Sequence, residues 1–140
     1  MVDEATLDLV KGMCGYTDAQ WEIWKSNPRN MKVAEVLPEF YKYKVVAEVT
    51  SSSGCAAQHK VGDRIVLQGV VLPCKENPDQ ICYGSLLPII PYVEMVFERI
   101  SNGEEPSSFM FPKVHCTDVG LEHGGWGQVV AEVKVEKVQE

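Results

Sequence analysis

Two stretches of strict alternation, at residues 41–49 and 129–138, constrain this chain more than any other feature. In YKYKVVAEV, Tyr41, Tyr43, Val45, Ala47 and Val49 share one side, while Lys42, Lys44 and Glu48 share the other. In VVAEVKVEKV, Val129, Ala131, Val133 and Val135 oppose Glu132, Lys134 and Glu136. A period of two belongs to a strand with one buried face. Neither stretch can bury that face alone, so the last strand is expected to return beside the first in a largely antiparallel sheet. The pentapeptide VVAEV occurs in both stretches, and shared strand composition explains so short a match. RIVLQGVVL, at 64–72, reads as a further strand or bent pair, with Gly69 placed for a bulge.

Other segments carry the helical period. Leu86, Ile90, Val93, Phe97 and Ile100 recur along 83–102, and Gly103 is placed to end that helix. Pro88 and Pro91 make its start irregular, with regular helix from about Pro91. Three short helices precede the first strand. One covers 3–11, with Leu7 and Val10 on a face and Gly12 near its end. The next starts at a Thr17/Gln20 capping box and sets Trp21 and Trp24 on one face. The third runs from Asn27-Pro28 to Leu37-Pro38. The expected fold is α+β: a small, largely antiparallel β-sheet with one long packed helix. A short-helical N-terminal extension, 1–40, precedes the 41–138 core of a single 1–140 domain. SSSG at 51–54, SNGEEPSSFMFPK and EHGGWGQ read as loops.

The bulk numbers bound the function. With 140 residues, 45% of them hydrophobic, the chain can form a core without metal or disulfides. Twenty acidic residues against thirteen basic ones give a net charge of −7, which disfavours nucleic acid and anionic membranes as partners. The N-terminus MVDEATLDLVKGMCG is acidic and lacks an apolar signal region. The apolar run LLPIIPYV is too short and proline-broken to span a bilayer. A cytoplasmic location is therefore expected. Five cysteines, an odd number, argue for reduced thiols or metal ligands over a complete disulfide framework.

Three of those cysteines share one kind of position, the end of an element. Cys55, with His59 four residues on, precedes the second strand. Cys82 stands at the start of the long helix, and Cys116, beside His115, precedes the glycine-rich turn into the last strand. If these ends gather on one side of the sheet, Cys55, Cys82 and Cys116 with His59 or His115 suit tetrahedral zinc or iron. No C-x-x-C is present to strengthen that reading. The plainest alternative is that buried cysteines act as small hydrophobes. A third possibility is thiol chemistry, with Cys82 as nucleophile, His59 as its base and Asp118 as a further carboxylate. A sulfur at a helix start faces the positive end of the macrodipole, which favours that role. Asp63 and Asp118 most simply serve turns. His123 and Trp126, among Gly124, Gly125 and Gly127, could line a ligand pocket or decorate a polar turn. Cys14 is expected to pack on the tryptophans, and Cys74 is incidental in a polar loop. There is no phosphate loop, Rossmann fingerprint or H-E-x-x-H.

The ordered set CAAQHKVGD, ICYGSLLPIIPYV and HCTDVG resembles a family of small uncharacterised proteins associated with anaerobic bacteria and archaea. The resemblance covers about 41–138. It implies that Cys55, Lys60, Gly62, Asp63, Cys82, Pro91, Tyr92, Cys116 and Asp118 are shared positions, with Cys14 and Cys74 outside the pattern. This chain has Thr117 where the pattern has proline, a departure expected to loosen a turn. The resemblance implies no reaction.

Three functions follow as expectations. The first is a metal-binding protein with a Cys/His cluster. The second is an enzyme or accessory subunit of anaerobic aromatic or organic-acid metabolism, with a reactive thiol in a small-molecule pocket. The third is an interaction module, or a homo-oligomer joined through the N-terminal helices and Trp21 and Trp24.

Overall fold

A computed structural model describes residues 1–139. It divides the chain into two compact units, Met1–Lys42 and Tyr43–Glu140. The first unit is helical. Helix α1, Glu4–Cys14, starts where the Asp3 carboxylate accepts the Thr6 N–H at 2.8 Å. It ends at Gly15, whose φ of 64° gives the left-handed cap, and runs past the expected stop at Gly12. Helix α2, Asp18–Lys25, has the full Thr17/Gln20 capping box. Trp21 and Trp24 stack with ring centres 4.9 Å apart. Trp21 is buried, so it is not free to dock on a partner. Cys14 is exposed rather than packed. Helix α3, Pro28–Phe40, continues through Pro38, which was expected to close it. That proline forfeits one backbone hydrogen bond in the last turns, and the added turn carries the buried Phe40.

The second unit is α+β. Strands β1 (Tyr43–Ser53), β2 (Arg64–Leu67), β3 (Lys113–His115) and β4 (Gln128–Lys137) form one antiparallel sheet in the order β2-β1-β4-β3. The last strand does return beside the first. Val45 pairs with Leu67 and Val135, and Ala47 with Ile65 and Val133, so the alternating residues meet in register. Val46, on the other face, is also fully buried. The register shifts between Val49 and Ser51, the mark of a bulge. Ser51–Ser53 then continue β1 against Val130–Gln128, where the sequence suggests a loop. Gly69 makes no bulge: Gln68 and Val71 exchange backbone hydrogen bonds across a two-residue turn. The outer side of β2 is covered by Asn77, whose amide bonds both the N–H and the C=O of Val66.

The long helical segment starts irregularly, as its prolines require. Helix α4, Tyr83–Leu86, passes through a 3-10 turn, Leu87–Ile89, into α5, Ile90–Ser101. The tighter turn advances the phase, so Ile89, Val96 and Ile100 are buried while Ile90 stays 39% exposed. Gly103, at φ 71°, follows the helix end. The Tyr92 hydroxyl donates to the Phe111 carbonyl and fastens the loop that leads into β3. Among the described residues no helix is long and apolar enough to cross a membrane.

Candidate functional site

Cys55, Cys82 and Cys116 line one cavity of about 570 Å3 in the second unit. Three chain segments build it: the turn after β1, the start of α4, and the bend between β3 and β4. The three thiols differ in setting. Cys116 is buried in a cluster with Val49 and Val129, and its Sγ accepts the Val129 N–H at 3.2 Å. Cys55 is half-buried and packs against that cluster. Cys82 is half-buried at the N-cap of α4, where its side chain makes no capping hydrogen bond. Helix α4 is a single turn, so the macrodipole expected at Cys82 is short.

His59 lies beneath this surface, with a side chain only 1% exposed. Its Nε2 accepts the backbone N–H of Cys82 at 3.0 Å. The ring proton is then on Nδ1, 3.6 Å from Asp63 Oδ2. The same Asp63 oxygen accepts the Lys60 N–H at 3.0 Å. The histidine therefore holds the chain that carries Cys82, and its Nε2 is committed to that N–H; His59 is not among the residues that border the cavity. Ser52 Oγ donates to the His59 carbonyl at 2.6 Å and fixes the other end of the residue.

Asp118 organises the third segment. Its carboxylate accepts the N–H groups of Gly120, Trp126 and Gly127. The Gly120 N–H holds the carboxyl below its ordinary value of 3.8; partial burial opposes this, and the other two N–H groups reinforce it. Asp118 borders the cavity, but its oxygens are committed to the loop. The loop also meets the β1 turn backbone to backbone. A Cβ on Gly127 would stand 2.0 Å from the Ser53 carbonyl oxygen, and one on Gly54 2.4 Å from that of Trp126. Thr117 donates its N–H to the Gly84 carbonyl at 3.0 Å, a bond proline cannot make. Thr117 thus ties the β3–β4 bend to the start of α4.

The other expected residues lie outside this cavity. His115 is exposed, with Nδ1 2.6 Å from the Cys116 carbonyl oxygen. His123 borders a separate hollow with Leu121 and Glu122, and Trp126 is 74% exposed. Among the described residues no three His, Cys, Asp or Glu side chains are gathered closely enough to hold a metal ion.

One residue had no local signal in the sequence. Ser85 borders the cavity and also a small void behind it, next to Cys116. It is buried, and its Oγ has no hydrogen-bond partner among the described residues. A buried, unpaired hydroxyl costs about 1–3 kcal/mol, and it marks a place where a water or ligand atom is expected. Compared with known family models, curated proteins and solved structures, the chain finds no match.

Proposed function

We propose that the second unit binds a small uncharged molecule in the three-cysteine cavity and acts on it through the thiol of Cys82. The observation that carries this reading is the convergence of Cys55, Cys82 and Cys116 on one cavity. Cys82 is the reacting thiol because it is half-buried and its sulfur is unoccupied by the helix start. Cys116 is buried and its sulfur already accepts a backbone N–H. No Lys, Arg or His is among the residues that border the cavity, so an organic acid would find no cationic partner there. That favours an uncharged electrophile over the acids of the expected metabolism. The unpaired Ser85 hydroxyl supports a ligand that brings a polar atom to this wall.

The test is alkylation of the native protein by iodoacetamide at neutral pH, with the labelled sites mapped by mass spectrometry. Cys82 should label ahead of Cys55 and Cys116, and faster than it does in denaturant. Labelling of Cys82 no faster than in the unfolded chain would overturn the reading. So would a stoichiometric metal ion on anaerobically purified protein, which would make the three thiols a metal centre instead.

A further inference from the structure

We infer that the cavity carries out thiol–disulfide exchange with small uncharged disulfides, with Cys82 as the attacking thiol and Cys55 as the resolving one. This rests on the proposed reactivity of Cys82 and assigns it a substrate class and a partner thiol. All five cysteines are free, and three of them border one cavity. Exchange needs two accessible sulfurs near one another, and it discriminates by access. Cys55 and Cys82 are both half-buried, whereas Cys116 is buried with its sulfur engaged by Val129. The two accessible thiols are also mounted differently. The backbone of Cys82 is held by His59, which fixes where an incoming disulfide is met. Cys55 sits in a turn between Gly54, at φ 62°, and Gln58, at φ 61°. A non-glycine residue in the left-handed region is a strained position, and such turns can rearrange when a new bond repays the change. The lining is small at Ala56, Ala57 and Gly84 and contains no basic residue, which suits a disulfide without anionic groups.

The oxidising half balances between the substrate disulfide and the two thiols, and a dithiol reductant supplies the electrons for the return. The Cys82 sulfur, having given up its proton, attacks one sulfur of R–S–S–R; a Cys82–S–S–R bond forms and R–S⁻ leaves, taking a proton to become R–SH. The deprotonated Cys55 sulfur then attacks Cys82 Sγ, forming the Cys55–Cys82 disulfide and releasing the second R–S⁻, which is likewise protonated. The substrate is reduced by two electrons and the two cysteines are oxidised by two. A small dithiol reductant returns the site to its starting state.

The experiment uses the full chain with the exposed Cys14 and Cys74 replaced by serine. It is treated with 2-hydroxyethyl disulfide, and the disulfides are mapped after acid quenching. A Cys55–Cys82 bond is expected, with two equivalents of 2-mercaptoethanol released. In Cys55→Ser the mixed disulfide on Cys82 should persist at least about tenfold longer. In Cys116→Ser exchange should continue. A persistent mixed disulfide in the parent, or a bond from Cys82 to Cys116, would overturn the inference. Iodoacetamide labelling of the same preparation separates the two failures. Fast labelling of Cys82 without the Cys55–Cys82 bond removes the exchange reaction alone, whereas slow labelling removes the reactive-thiol reading with it.

Discussion

Two loops that border the cavity are each held by an aspartate, but at different range. Asp118 acts directly: its oxygens take three backbone N–H groups of its own loop, at Gly120, Trp126 and Gly127. Asp63 acts through an intermediary. It faces the buried His59, whose far nitrogen takes the N–H of Cys82, 23 residues along the chain. The first arrangement shapes a loop, while the second joins two segments distant in sequence. Damage at Asp118 should therefore stay local, whereas damage at His59 should reach the reactive thiol.

Substitutions at four positions test that contrast. The largest effect belongs to Gly127→Ala, because its Cβ would collide with the Ser53 and Gly54 backbone, which has no flexible end to yield. It should cost about 3 kcal/mol in urea denaturation. A loss below about 0.5 kcal/mol would mean that the two loops do not meet as described. His59→Ala comes next, at about 2 kcal/mol, since it leaves both a void and an unpaired Cys82 N–H. It should also change the labelling rate of Cys82 while leaving amide protection at Gly120 and Gly127 intact. His59→Gln, which offers an acceptor again, should recover part of both effects.

Asp118→Asn is expected to do the reverse. Amide exchange at Gly120, Trp126 and Gly127 should accelerate, with little change in the global midpoint or in Cys82 labelling. Acid provides a second view of the same carboxylate. Its folded value lies below the ordinary 3.8, so its stabilising effect is complete above that value and fades as pH falls through the lower folded one. Protection of the three amides should accordingly outlast acidification to pH 3.8. If protection is already lost above that point, the carboxylate is not the group that holds the loop. The smallest effect is at Ser85→Ala. Removing an unpaired buried hydroxyl should be neutral or stabilise by up to about 1 kcal/mol in the free protein. A clear loss instead would show that the hydroxyl already has a partner, such as a bound water.

Much of the architecture is legible in the chain because its signals are local. The alternation in 41–49 and 129–138 announces two half-buried strands, and these pair with each other, although β1 starts at Tyr43 because Tyr41 caps α3. Thr17 with Gln20, and Asn27 with Pro28, start helices where their chemistry requires. Pro88 and Pro91 foretell the broken start of the long helix. Less is legible where an element exists only through a neighbour. Lys113–His115 has no pattern of its own and becomes a strand because β4 offers it an edge. Ser51–Ser53, poor strand formers, join β1 for the same reason.

The sequence by itself determined the sheet-forming faces, the helix starts, the acidic balance and the presence of three cysteines at element ends. Which sulfurs share a cavity, and which of them is buried, was decided only by tertiary structure, because pairing of β4 with both β1 and β3 brings Cys55 and Cys116 near one another from distant segments of the second unit. The same holds for His59. Nothing within its own stretch shows whether an imidazole faces a metal, a thiol or a backbone N–H. A hydrogen bond is short-ranged and directional, and its partner here arrives from a distant segment that only the folded chain brings within 3.0 Å.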